Sequence, residues 1–485
     1  MSGEATVAGT SSTGEAQEYA AFKLEQRGID LIPDAERKMK PSGLFWLWAG
    51  GVFNVEFLYY GVLIMTFGLT VWQAVIAVLV GNVFYAFLGW ASIQGPKTGT
   101  TALMVSRAPF GKNGNRLVAL FNWITQVGFE IEGIYFAVAT VILLFSLHGV
   151  KSMDPAAKIG VIIVMVLLQM IVPLLGHATI SKVLRYLAYV FIIFFAVFAI
   201  FTLQKWGHVT AYHTKSVSFA TWTTALVVLI AVGGLGWAEN GNDYSRYLPS
   251  ETKAHKTFWA ATLGGAVPSI ILELLGVFAY TITTKTVGIT QLGVPETFAS
   301  WFVTPFLIFA VIQLLAINTI DMYSSGVTLQ ALGVPLKRWG TVVLDTVVCG
   351  VVTGFVLFHN SFQKDFLSFL SWIIVWLAPW FGILITDYLL RRRRYDASAL
   401  AAERGGLYWR SGGIHWPGVI AQVVGMVAAV MWIDGAYDYP SYVGPISSRL
   451  GGSDFSWGLG LIVGALVYWL LASRSVPKEV PATAE

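Results

Sequence analysis

A single cysteine in 485 residues, Cys349, leaves no disulfide framework to build on. Charge is scarce as well: Asp, Glu, Lys and Arg make up 12% of the chain, while 56% of its residues are hydrophobic. Soluble domains carry about a quarter charged residues, so this composition excludes an ordinary soluble protein. Residues 1–40 lack a basic stretch followed by an apolar core, and they read as a mobile cytoplasmic tail rather than a cleaved signal peptide. The net charge of +4 is scattered over loops and forms no patch for nucleic acid. His-rich metal clusters, aspartate-rich diphosphate motifs and Cys/His pairs at catalytic spacing are all missing. His177, His208 and His213 read as solvated loop histidines. No filter loop repeats along the chain. A membrane enzyme or a channel therefore stays only as an alternative from outside the class that fits.

What the chain has is long apolar runs. A membrane span needs about 20 mostly apolar residues, and on that basis twelve are expected, near 43–69, 71–94, 117–147, 158–176, 183–204, 219–248, 257–284, 300–328, 339–358, 362–390, 416–434 and 455–473. Basic residues crowd the loops on one side, where seventeen stand against seven on the other, which predicts cytoplasmic N and C termini. The organisation read from this is a tail at 1–40, ten helices over 41–390, a basic cytoplasmic loop at 391–415, two more helices over 416–473 and a C-terminal tail at 474–485. The run Arg391–Arg394 reads as the inner end of the tenth helix, with lipid binding as the other reading.

Four stretches carry chemistry at membrane depth. The sixth run ends GGLGWAENGNDYSRYLP, Gly233 to Pro249, where a spanning helix would ordinarily hold Leu and Val. Glycine costs a helix about 1 kcal/mol per position. Such a cluster suits either a broken helix facing a cavity or a close packing face of small residues; both readings stay open. The first run, GLFWLWAGGVFNVEFLYYG, carries Gly50, Gly51 and Asn54 near its middle, followed by Glu56. A carboxyl there costs a few kcal/mol unless it is neutral, paired or hydrated, so it marks function by default, with a structural hydrogen bond as the alternative. In the third run, Gln126, Phe129, Glu130 and Gly133 fall at helical spacing on one face, with Glu132 turned away. A primary amide beside an aromatic ring suits a planar heterocycle: the amide reads its edge and the ring stacks on its face. Ordinary packing is the other reading of Phe129. The eighth run holds Asn318 and Asp321 three residues apart, and Glu273 lies buried in the seventh.

The spacing Trp237…Asp243-Tyr244-Ser245-Arg246-Tyr247 resembles the sixth-helix signature of the nucleobase:cation symporter-1 family, in its purine–cytosine permease branch. The resemblance runs from about Pro41 to Leu390 and includes Gly95, Pro96 and Gly99 after the second span. It implies an all-α integral membrane protein of twelve helices, with a LeuT-type five-plus-five inverted-repeat core whose first and sixth helices are broken. It further implies a secondary-active importer at the plasma membrane, working by alternating access of spans one, two, six and seven against three, four, eight and nine. The cargo implied is cytosine or a purine, with allantoin, hydantoin, uracil or a vitamin-like heterocycle as alternatives. Gln126-Val-Gly-Phe129 is similar to the Gln-Val-Gly-Trp of bacterial cytosine permeases, with Phe129 in place of the stacking Trp. Asn318 matches a substrate asparagine, whereas Asp321 stands where the family pattern has a second one. Gly51, Asn54, Gly233, Gly234 and Trp237 complete the substrate-binding set. Asp243 and Arg246 read as holders of the inner helix end. Sodium-coupled members carry hydroxyl residues just before the substrate asparagine; here Ala316 and Ile317 offer no side-chain oxygen. The coupling ion expected is therefore H+, with Na+ less well provided for. Glu130 is the preferred carrier, and Asp321, Glu56 and Glu239 are the other candidates. No metal and no further cofactor are expected, and the only partner implied beyond the substrate is membrane lipid.

Overall fold

The computed structural model describes residues 21–479, apart from 26, 151, 284–291, 293, 296–297, 360–361 and 436–440. Helices dominate. Among the described residues nine are long and apolar enough to cross a membrane: Val71–Thr98, Asn115–Leu147, Pro155–Leu174, Gly176–Gln204, Phe219–Ala238, Ala254–Ile282, Ser300–Leu332, Arg338–His359 and Phe362–Leu390. One more, the first in chain order, is the bent pair Pro41–Val52 and Val55–Met65, so Val71–Thr98 is the second helix and Phe362–Leu390 the tenth. The last two apolar helices, Trp416–Trp432 and Ser456–Ala472, have 17 residues each and fall just short of spanning length by that measure. Strand pairing among the described residues is limited to Asp434–Gly435 against Tyr442–Val443 in an external turn.

Caps fix where several helices begin. Thr70 and Gln73 form a reciprocal capping box on the second helix, and Asp154 accepts from Ala157 N at 2.7 Å just before Pro155 opens the fourth. Side-chain periodicity sets their orientation. In the fourth helix Ile159, Ile163, Leu167 and Ile171 are exposed on the lipid face, while Ile162, Met165, Val166 and Gln169 are buried.

Packing sorts the helices into two groups. The first and seventh lie along each other, with the second and the inner part of the sixth against them. The third and eighth, 33 residues each, pack along their length and draw in the fourth and ninth. The tenth gathers the last two helices around itself. Glycine makes the first–seventh contact possible. A Cβ on Gly61 would stand 1.9 Å from Glu273 O, and one on Gly276 would stand 1.9 Å from Leu58 O. Each helix backbone thus rests on the other.

Three sequence expectations change here. Gly50 and Gly51 do not break the first helix; both are helical, and the 54° bend falls at Phe53 and Asn54. A Cβ on Gly50 would meet Leu184 O at 2.3 Å, so this glycine serves a close approach to the fifth helix. Residues 21–25 and 27–40, read as part of a mobile tail, are packed against helix ends at one end of the bundle by main-chain and side-chain hydrogen bonds; residues 1–20 lie outside the described residues. Arg391, read with the basic run, is 1% exposed and paired with Asp387 at 2.9 Å and Glu479 at 3.0 Å, which turns it away from lipid.

The glycine contacts carry a stability test. Gly276→Ala forces a methyl into the first helix backbone and should cost about 1–3 kcal/mol. Gly160→Ala, where nothing lies within 4 Å, should leave the thermal midpoint unchanged or raise it. Melting of the two purified variants in the same detergent checks both, and equal midpoints would refute the close-packing account.

Candidate functional site

The sixth helix stops at Val232 and resumes as Gly234–Ala238 and Gly241–Ser245, with Gly233 at the break. Broken backbone at this depth must find partners in protein; beyond Gly233 the main chain bonds to itself in short turns, with Trp237 N on Gly233 O and Asn240 N on Trp237 O, and the side chains there bond on three sides. Gln126 of the third helix donates to Glu239 and, at 2.8 Å, to Asn240 Oδ1; Asn240 Nδ2 donates back to Gln126 Oε1 at 3.0 Å. Tyr244 OH donates to Ile320 O in the eighth helix at 2.8 Å. Asp243 accepts from Ala102 N at 3.0 Å.

Aromatic rings lie above this layer. Phe129 and Trp237 are parallel within 13°, with centroids 6.5 Å apart. Trp48 of the first helix meets Trp237 edge-on at 5.6 Å, and Phe369 of the tenth meets Phe129 edge-on at 5.3 Å. The site is thus built from one parallel ring pair, two flanking rings and one carboxamide held by a carboxylate and a second carboxamide.

The remaining predicted residues lie elsewhere. Gly234 backs onto the second helix, where a Cβ would stand 2.0 Å from Phe84 O, and Gly233 faces the Tyr85 ring. Steric need for close packing explains both, and neither is turned toward Gln126. Gly51 packs on Ile320. Asn54 caps the second half of the first helix by accepting from Glu56 N at 3.0 Å and donates to Gln313 O at 2.7 Å; Gln313 Oε1 accepts from Val55 N at 3.2 Å. The break in the first helix is therefore closed onto the eighth. Asn318 donates to Glu130 O at 3.0 Å and to Gln169 Oε1 at 2.8 Å, inside the contact of the third, fourth and eighth helices.

The acids spread further than their sequence spacing implied. Glu130 does not join Gln126 and Phe129: it accepts from Cys349 Sγ of the ninth helix at 3.0 Å, because the third helix rotates it toward the scaffold. Glu132, expected to point away, accepts from Tyr60 OH at 2.9 and 3.0 Å. Glu273 accepts from Asn82 at 2.6 Å and Ser269 at 2.9 Å. Among the described residues no group of three or more His, Cys, Asp or Glu is placed to hold a metal ion.

Below the site the chain seals its inner face. Glu25 accepts from Tyr247 OH at 2.7 Å and from His177 N at 2.8 Å, while Arg246 donates to Gly28 O at 2.9 Å and to Tyr323 OH at 2.8 Å. The His177 ring, read as solvated, is buried and stacked on Tyr247 at 3.7 Å. Sequence reasoning also missed Asn240, Trp48 and Glu25 as parts of this region. Asn240 had a signal, since it sits within the signature beside Glu239. The other two had none, because their partners lie over a hundred residues away.

Known proteins give this architecture a context. The family model described as "Permease for cytosine/purines, uracil, thiamine, allantoin" matches residues 31–460. "Putative purine-cytosine permease YxlA" of Bacillus subtilis (strain 168) is 29% identical over 94% of this chain and 98% of its own length. The purine-cytosine permease fcyB of Emericella nidulans is 25% identical over 97% and 92%. The vitamin B6 transporter TPN1 of Saccharomyces cerevisiae is 24% identical over 77% and 67%. The structure of Mhp1, a nucleobase-cation-symport-1 family transporter, in a closed conformation with bromovinylhydantoin bound superposes with a TM-score of 0.73, covering 96% of this chain and 98% of that one at 17% identity. That likeness gives the fold, a LeuT-type arrangement of helices. The chain is a multi-pass membrane transporter, not an enzyme, and it belongs to the family of permeases for cytosine/purines, uracil, thiamine and allantoin, in its purine–cytosine permease branch.

Proposed function

We propose that this protein imports a neutral planar nucleobase, cytosine or a purine, across the plasma membrane by alternating access, with both termini in the cytoplasm. The observation that carries this reading is the parallel pair Phe129 and Trp237 at 6.5 Å beside the Gln126 amide. A planar ring held between them needs about 7 Å between the ring planes, two van der Waals contacts of about 3.5 Å, so Phe129 and Trp237 must part to admit one. Stacking on both faces and an amide at the edge then favour a flat heterocycle with hydrogen-bonding groups on its rim. The names of the relatives support the same class. A vitamin-like heterocycle is the second reading, supported by the vitamin B6 transporter among them.

The coupling ion proposed is H+. The first, third and eighth helices each carry buried acids, Glu56, Glu130, Glu132 and Asp321, and helix movement that changes their surroundings changes which of them holds a proton. Sodium is less well served. Ala316 and Ile317 bring no oxygen, and two side-chain oxygens at the first-helix break, Gln313 Oε1 and Asn54 Oδ1, are engaged by Val55 N and Glu56 N. Given the Tyr60–Glu132 contact, Glu132 joins Glu130, Glu56, Asp321 and Glu239 as a carrier candidate.

For the site, Gln126→Ala should lose about 1–3 kcal/mol of base binding and Phe129→Ala about 1–3 kcal/mol of stacking. Competition by a panel of unlabelled bases against labelled cytosine reads both losses, and unchanged affinity in two well-expressed variants would refute the assignment. Asn318→Ala should instead lower abundance and uptake together while keeping the order of competing bases.

For coupling, uptake into proteoliposomes should follow an inward pH gradient without sodium, and Glu132→Gln or Glu130→Gln should abolish that drive. Uptake driven by a sodium gradient alone, at equal pH, would overturn proton symport.

A further inference from the structure

The Gln126 carboxamide is engaged at both ends. Its nitrogen donates to Glu239 and to Asn240 Oδ1, and its oxygen accepts from Asn240 Nδ2. All three side chains are buried. The two Gln126–Asn240 bonds run in opposite directions, so the amides face each other edge to edge, each offering one donor beside one acceptor. Glu239 decides which way round this pair stands. Its Oε1 accepts from the Gln126 nitrogen, which favours the amide standing this way round. The pair also bridges two moving parts: Gln126 lies on the third helix, whereas Glu239 and Asn240 lie on the inner half of the broken sixth. Phe129 and Trp237 follow and precede the two amides by three residues and hold their rings parallel alongside.

We propose that Asn240 is a built-in competitor for the edge of the substrate. A ring carrying an N–H donor next to a carbonyl or ring-nitrogen acceptor presents the same pattern as the Asn240 amide, and it exchanges with Asn240 on Gln126. The substrate class that follows is a neutral heterocycle with a lactam or amidine edge, which offers a donor and an acceptor side by side. The exchange couples binding to motion. Taking Gln126 away from Asn240 frees the inner half of the sixth helix from the third, and recapture of Gln126 by Asn240 expels the base. Asn240 is thus a positioning residue for release, and this inference rests on the nucleobase reading above.

The test uses the full-length protein, for equilibrium binding in detergent and for uptake in proteoliposomes, with cytosine and adenine as probes. Asn240→Ala and the near-isosteric Asn240→Leu remove the competitor, so the base should bind about tenfold more tightly while maximal uptake falls, KM and Vmax dropping together. Methylating the ring nitrogen of the lactam or amidine edge should abolish competition in the unchanged protein. Weaker or unaltered binding in both Asn240 variants would overturn the exchange and mark Asn240 as a plain helix contact. Binding of no base by the unchanged protein would overturn the nucleobase reading itself, and this inference with it.

Discussion

Backbone that leaves a helix inside hydrocarbon has no water to turn to, and each unmade bond there costs several kcal/mol. The rest of this structure follows from where the two broken helices find replacements. The first helix, bent at Phe53 and Asn54, is closed by the side chain of Asn54 and by Gln313 reaching across from the eighth. The sixth, broken at Gly233, closes its own main chain in short turns, Trp237 N on Gly233 O and Asn240 N on Trp237 O, and its side chains stitch it to the third through Gln126, Glu239 and Asn240 and to the eighth through Tyr244. In both cases hydrogen bonds join a helix of one group to a helix of the other. Rocking the groups apart must therefore exchange these bonds for others, which ties motion to whatever can offer the same donors and acceptors.

Close approach is the complementary constraint. Within the first, second, sixth and seventh helices, glycine lets backbone rest on backbone, as Gly61 does on Glu273 and Gly234 on Phe84. Lipid supplies no hydrophobic drive between helices, so dispersion across such surfaces holds the group together. Contacts between the two groups depend far more on side-chain hydrogen bonds. Backbone-to-backbone contacts inside a group, and polar contacts between groups, suit one unit that moves as a body against another.

The inner face adds a third layer. Residues 21–40 lay main chain and Glu25 across Tyr247, His177 and Arg246, joining the signature helix to the fourth and fifth. Arg246 is wholly buried, and its guanidinium is held by Gly28 O, Tyr323 OH and the face of Tyr247. The polar residues of the signature thus serve two layers: Glu239 and Asn240 meet the third helix, while Arg246 and Tyr247 meet the N-terminal segment that covers this end of the bundle.

What the sequence by itself determined is the part governed by local composition. Apolar length located the helices, and the glycines with Asn240 and Asn242 located the interruption of the sixth. An amide and a ring at helical spacing picked out Gln126 and Phe129 as neighbours on one face. Spacing along one helix does not say which other helix meets each side chain, and there only the tertiary structure decided. It sent Gln126 to Glu239 and Asn240, Phe129 to Trp237, and Glu130, a single position on, to Cys349. It turned Gly50 and Gly234 from breaks or substrate contacts into packing surfaces, because a missing Cβ reads the same in sequence whether the backbone bends or is approached. It also moved Glu132 from the margin to a buried bond with Tyr60, 72 positions away. Periodicity is a property of one helix, whereas a site between helices depends on their rotation about their own axes, which is set by the packing of all of them at once.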